Sequence, residues 1–315
     1  VGDGAFGAQT TFAVAFSPAG IASADLNGDG KPDLATAHQS SPGEVNVLLN
    51  DTEIRATMLN PAVNYAVGDG PFGVALGDVD RDGDLDLATA NYNANTVSIR
   101  LGDGAGAFSG STEVPTNNAP AAPALADLDF DGDLDLAVAN YNSNTVSIRL
   151  GDGAGGFSGS TNVAVGTGPT CLALGDVDRD GDLDLVTANQ LGNTASVRLN
   201  DGAGAFSGVT NVAVGSVPRA VALGDVDRDG DLDLVTANSD ADTVSVRLGD
   251  GAGGFSGSTE IAVGSQPFWV ALGDVDRDGD LDLAVPNRVD GAVSIRLNDG
   301  AGGFSGSTNV AVGNS

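Results

Sequence analysis

Asp78-Val79-Asp80-Arg81-Asp82-Gly83-Asp84-Leu85-Asp86 holds carboxylates at positions 1, 3, 5, 7 and 9 and a glycine at 6. The frame Asp-x-Asp-x-Asp-Gly-x-x-Asp recurs from Asp127, Asp176, Asp225 and Asp274, 49 residues apart each time, and a variant begins 53 residues earlier at Asp25. A glycine at position 6 lets the backbone turn sharply, so the carboxylates can converge on one point. An oxygen-rich loop at a fixed period predicts both a metal site and an architecture built in slices.

Oxygen ligands select a hard cation, and carboxylates at 1, 3, 5 and 9 with a main-chain carbonyl at 7 suit Ca²⁺. The opening positions are those of the EF-hand loop. Position 12, which should be a bidentate Glu, is however Thr89, and the flanks alternate as strands do. The candidate ligand sets are Asp78, Asp80, Asp82, Asp84 and Asp86; Asp127, Asp129, Asp131, Asp133 and Asp135; Asp176, Asp178, Asp180, Asp182 and Asp184; Asp225, Asp227, Asp229, Asp231 and Asp233; and Asp274, Asp276, Asp278, Asp280 and Asp282. The first loop offers Asp25, Asn27, Asp29, Lys31 and Asp33 and is the poorest, with Asn in place of Asp and Lys31-Pro32 after its glycine. The expectation is up to six calcium ions, one per loop. Zinc is disfavoured, because the chain has one His and one Cys.

The segments around the loop have strand periodicity. Val74-Ala75-Leu76-Gly77 precedes it (strand A) and Leu85 to Ala90 follows it (strand B). Thr96 to Leu101 puts Val97, Ile99 and Leu101 on one face (strand C), and a segment like Asn162 to Val165 closes the unit (strand D). Four short strands in about 49 residues predict a β-propeller blade, with the calcium loop as the A–B turn. The expected fold is therefore all-β, a single domain over residues 1–315 with six four-stranded antiparallel blades. Residues 10–16 align with strand D, so the first 16 residues are an additional D-type strand that closes the ring or is exchanged with a neighbour. Gly151-Asp152-Gly153-Ala154-Gly155-Gly156 formally matches a dinucleotide fingerprint, but a strand follows it where a helix would be needed.

With these residues in hand, the chain resembles the FG-GAP or VCBS repeat family over essentially its whole length. That family includes the propeller head of integrin α subunits, fungal and bacterial propeller lectins and many bacterial surface proteins. The resemblance implies a propeller with Ca²⁺ in the A–B loops. Integrin and lectin relatives usually have seven blades, whereas this chain has six sets of motifs.

A formal net charge of −30 disfavours nucleic acid and anionic membranes as partners. No apolar run is long enough to cross a bilayer by helix. Cys171 stands alone, so calcium is expected to staple the fold in place of disulfides, which points to an extracellular or cell-surface setting. The loop arginines Arg81, Arg179, Arg228 and Arg277 read as solvated, and the strand C arginines Arg100, Arg149, Arg198, Arg247 and Arg296 as partners of nearby carboxylates. Tyr92, Tyr141 and Trp269 are candidate platforms for sugar rings, with loop packing as the alternative. No nucleophile–base set can be assembled, so catalysis is not expected. The functional expectation is a non-catalytic adhesion or structural module that binds a glycan or a surface protein and can assemble into homo-oligomers or filaments. Alternatives are a glycan-binding lectin and the propeller part of a larger secreted enzyme.

Overall fold

A computed structural model describes residue 14, residues 17–50 and residues 62–312. It contains six four-stranded antiparallel sheets and, among the described residues, no helix. Each sheet is ordered A-B-C-D, the propeller-like repeat expected from the sequence. In the second sheet the strands are Pro71–Gly77, Asp86–Asn91, Thr96–Gly102 and Phe108–Pro115. Strand D is longer than its aliphatic residues suggest and begins at the repeated Phe, which pairs with the last residue of strand C. The proposed extra strand at residues 1–16 lies outside the described residues apart from Val14.

The chain divides into two compact units, one holding the first three sheets within residues 11–164, the other the last three within residues 165–315. Strands B and C are largely buried, and within each unit successive sheets pack against one another. Leu87 and Leu136 in the first unit, and Leu185, Leu234 and Leu283 in the second, are fully enclosed. Each such side chain contributes about 1.5–3 kcal/mol relative to exposure. The Phe that opens strand D makes an inter-sheet contact: Phe108 of the second sheet meets Tyr65 of the first edge-on at 5.4 Å. Small residues in strand A let successive strands approach closely. A Cβ on Gly20 would stand 2.6 Å from the Phe72 carbonyl.

A polar rank runs through these cores. Asn91, Asn140, Asn189, Asn238 and Asn287 end the B strands and donate to Ser98, Ser147, Ser196, Ser245 and Ser294 of strand C at 2.8–2.9 Å. Each serine hydroxyl donates onward to Glu113, Asn162, Asn211, Glu260 or Asn309 of strand D. In the first sheet His38 holds the asparagine position, fully buried and 2.8 Å from Thr36.

The last sheet breaks the pattern. Its strand A shrinks to Ala271–Gly273, with only a bridge from Pro267 to Asn287 upstream. Two substitutions account for this. Trp269 stands where the other sheets have Gly, Ala or Cys, and Pro286 replaces an alanine of strand B and has no N–H for the ladder. Trp269 is consequently half exposed.

Candidate metal centres in the A–B loops

The nine residues between strands A and B close on themselves through main-chain donors. Asp78 Oδ2 accepts from Gly83 N at 3.0 Å, Asp80 Oδ1 from Asp82 N at 3.3 Å, and Asp82 Oδ1 from Asp84 N at 2.9 Å. Gly83 takes φ +95°, and its counterparts lie in the same left-handed region. The carboxylates at positions 1, 3 and 9 thereby converge. Oxygens of Asp78, Asp80 and Asp86 lie within 4.8 Å of one another, as do those of Asp127, Asp129 and Asp135, of Asp176, Asp178 and Asp184, and of Asp274, Asp276 and Asp282. In the fifth loop the group is Asp225, Asp227 and Asp229.

Position 9 does two jobs. Asp86 Oδ2 accepts from Val79 N at 2.7 Å and Oδ1 from Gly102 N at 2.8 Å, tying the loop to the end of strand C. Asp33, Asp135, Asp184, Asp233 and Asp282 repeat that clamp. Burial pushes the carboxyls of Asp86 and Asp135 up, and those of Asp184 and Asp233 up to about 6. Burial, with repulsion from neighbouring aspartates, also raises Asp80, Asp178, Asp227 and Asp276. These groups resist ionisation unless a cation stands among them.

The residues fit calcium on a further observation. Oδ1 of Asp78, Asp127, Asp176 and Asp225 is buried and has no hydrogen-bond partner. Four position-1 carboxylates thus hold a lone oxygen that a cation would satisfy. The end loops differ. Asp25 Oδ1 accepts from Asp29 N at 3.1 Å while Oδ2 accepts from Gly30 N at 2.7 Å, and these bonds lower its pKa. Among the described residues, no convergent group of three carboxylates forms there. Asp274 Oδ1 is likewise taken, by Arg277 N at 2.6 Å and Asp278 N at 3.1 Å.

The position-7 side chains stay out of these groups. Asp84 and Asp182 lie against the C–D hairpin, where Cβ atoms on Gly104 and Gly202 would collide with them. Asp133, Asp231 and Asp280 lie against Gly153, Gly251 and Gly300 in the same way and also meet arginines of the preceding loop, Asp133 with Arg81 at 2.5 Å, Asp231 with Arg179 at 2.6 Å, and Asp280 with Arg228. This corrects the reading of those arginines as merely solvated. In the first loop Lys31 pairs with Asp29 at 3.3 Å. Among the strand C arginines, Arg100 and Arg247 do pair with carboxylates, Glu113 and Glu260. Arg149 and Arg296 donate to carbonyls, one in the preceding sheet (Pro115 or Ala262) and two in their own (Ile148 and Thr161, or Ile295 and Thr308).

At the other end of the sheets, Tyr92 lies 6.0 Å from Phe72 and 6.3 Å from Tyr141, a row of three half-buried rings. Trp269 belongs to the other unit. The B–C turns there hold residues that sequence reasoning missed. Asn95, Asn193 and Asp242, all with φ above +50°, accept the N–H of Ala119, Val217 and Gln266 at 2.8–2.9 Å and fix the D–A connections. Cys171 is enclosed, and burial pushes its thiol up to about 11.

The model of the FG-GAP-like repeat matches residues 25–89, 78–138, 128–187, 176–236 and 225–285. No curated protein is significantly similar in sequence. Among solved structures, a candidate 6-phosphogluconolactonase from Bacteroides uniformis is similar at TM-score 0.74 and 13% identity, over 96% of this chain and 88% of that one. A lectin of Agrocybe aegerita that recognises non-reducing terminal N-acetylglucosamine is similar at TM-score 0.61 and 20% identity, over 92% and 79%. BBS1N in complex with ARL6DN gives TM-score 0.63 and 15% identity, over 91% and 81%. At these identities the likeness is one of fold.

Proposed function

The chain belongs to the FG-GAP-like repeat family, and from that premise we propose that it is a calcium-stapled, non-catalytic β-propeller of the cell surface or extracellular space, serving adhesion or structure. The observation that carries the calcium part is the buried, unpartnered Oδ1 of Asp78, Asp127, Asp176 and Asp225, each beside further carboxylates. The carboxylates at positions 1, 3, 5 and 9 would hold the ion, with the position-7 carbonyl. Bound calcium supplies a positive charge that offsets their repulsion and ties the end of strand A to the start of strand B. The second to fifth loops are the best prepared. In the sixth, Asp274 must first give up two main-chain donors, and the first lacks the convergent group.

Calcium dependence suits an extracellular setting, where loops of this kind bind at about 10⁻⁴–10⁻³ M. Absence of catalysis is supported by the settings of His38 and Cys171, both buried, and by the claim of the loop carboxylates on a cation. Thermal unfolding with and without chelator tests the reading. A large fall in melting temperature on chelation, reversed by Ca²⁺ and not by Mg²⁺, is expected. An unchanged melting temperature would overturn it.

A glycan-binding reading is favoured by one observation, the row of Phe72, Tyr92 and Tyr141. Rings in this arrangement offer apolar faces to a sugar and hydroxyls at their edge. N-Acetylglucosamine is the natural first probe, given the fold likeness to the Agrocybe lectin. Saturable binding lost in Tyr92→Ala would support the lectin. No binding by any simple sugar would leave a protein surface as the partner.

A further inference from the structure

Position 4 of the loops is held in the left-handed region even though it is not glycine. Arg81, Arg179, Arg228 and Arg277 have φ of 62°, 61°, 62° and 67°. In three loops the guanidinium leaves its own loop and enters the next. Arg81 meets Asp133, Arg179 meets Asp231, and Arg228 meets Asp280, all three carboxylates at position 7 and nearly buried. The same side chains touch position 6. A Cβ on Gly132, Gly230 or Gly279 would lie 2.8 Å from Nη2 of Arg81, Arg179 or Arg228. Nη2 of Arg81 and of Arg228 also approaches the position-5 carbonyls of Asp131 and Asp278 at 3.5 Å. One arginine therefore braces positions 5 to 7 of the following loop, between the position-5 carboxylate and the position-7 carbonyl that would ligate its ion.

Gly28 and Phe130 occupy position 4 in the first and third loops, and Arg277 of the sixth makes no ion pair among the described residues. Gly83 and Gly181, at position 6 of the second and fourth loops, have nothing within 4 Å of a Cβ among the described residues. We propose that Arg81, Arg179 and Arg228 are inter-loop couplers that make the calcium sites fill in linked groups, the second with the third, and the fourth with the fifth and sixth. The proposal rests on the calcium reading above. Ligands at positions 3 and 5 flank the arginine, so a loop closed on its ion fixes the backbone from which the guanidinium projects. That guanidinium in turn fixes the turn of the receiving loop before its ion arrives. The receiving loop is preorganised, and by linkage the effect is reciprocal. Couplings of this kind typically change affinity about 5- to 150-fold.

Stepwise calcium constants, measured on the intact chain by competition with a chromophoric chelator, test this. Arg228→Gln and Arg277→Gln remove the same charge from the same loop position, yet no ion pair of the Arg277 guanidinium is present among the described residues. Arg228→Gln is expected to weaken at least one step by about 5-fold or more and to flatten the isotherm, with the number of ions unchanged. Arg277→Gln should leave the isotherm of the parent chain intact. Arg81→Gln repeats the test in the other unit, and the melting temperature in chelator checks that each variant folds. Equal effects of Arg228→Gln and Arg277→Gln, or a uniform weakening of every step, would overturn the coupling while leaving calcium binding standing. A parent chain that binds no calcium would overturn both.

Discussion

Replacing Asp184 and Asp178 by Ala, one at a time, separates two tasks shared among the loop carboxylates. Asp184 is fully buried and accepts Val177 N and Asn200 N, both at 2.9 Å. Removing it leaves two buried donors without an acceptor. At about 1.5–3 kcal/mol for each hydrogen bond to a charged group, the loss is about 3–6 kcal/mol. Because burial already resists the Asp184 charge when no cation is present, the lower figure applies in chelator at neutral pH. With about 2–4 °C per kcal/mol for a unit of this size, melting should fall by about 6 °C or more, with chelator and with calcium alike. Asp178 stands differently. It accepts a single exposed N–H, from Asp180 at 3.3 Å, and burial and its neighbours' charges both oppose its ionisation. Asp178→Ala should leave the chelated protein as stable as the parent or slightly more so, and should abolish part of the gain on adding calcium. Thermal unfolding followed by circular dichroism, in chelator and in excess Ca²⁺, reads all four cases. Asp184→Ala melting within about 2 °C of the parent in chelator would refute the clamp. Equal losses for Asp178→Ala in both media would refute its assignment as a ligand.

In chelator, stability should rise as pH falls from about 6 towards 4. Folding lifts the carboxyls of Asp184 and Asp233 from the usual 3.8 to about 6, so the folded state binds more protons in that window; with calcium the trend should reverse, and melting curves across pH check both signs. Val217 holds φ 58° at a position where other sheets have Gly70 and Gly168, so Val217→Gly should stabilise by about 0.5–1 kcal/mol, the left-handed strain relieved less the entropy of glycine, as chemical denaturation would show. Gly20→Ala should destabilise by about 1–3 kcal/mol, because its Cβ would press on the Phe72 carbonyl of the next strand A at 2.6 Å; the same denaturation curves measure it.

Much of this architecture is legible in the sequence because each signal repeats. The strand alternation and the loop frame find their expected places, since local periodicity fixes which residues face inward. Features that depend on a neighbouring repeat are not legible. Arg81 and Asp133 stand 52 residues apart, and only the stacking of sheets within a unit brings them together. The closing of Asp25 and Asp274 onto their own loops is also hidden, because it turns on side-chain rotation within an ordinary motif. The opened strand A of the last sheet did leave a trace, in Pro286 where the other B strands carry alanine.

Strand D is the outer edge of every sheet, and in five of the six it carries a glycine in mid-strand with φ between +79° and +87°: Gly110, Gly159, Gly208, Gly257 and Gly306. The ladder to strand C slips there, as between Ile148 and Leu150. Such a kink interrupts the row of free N–H and C=O groups that a foreign strand would need, so these five rims are poor templates for aggregation or for sheet extension. The outer strand of the first sheet, Val63–Val67, runs in unbroken register and has no such glycine. Among the described residues, growth by strand addition is thereby favoured at one rim, which would yield linear assemblies rather than branched ones.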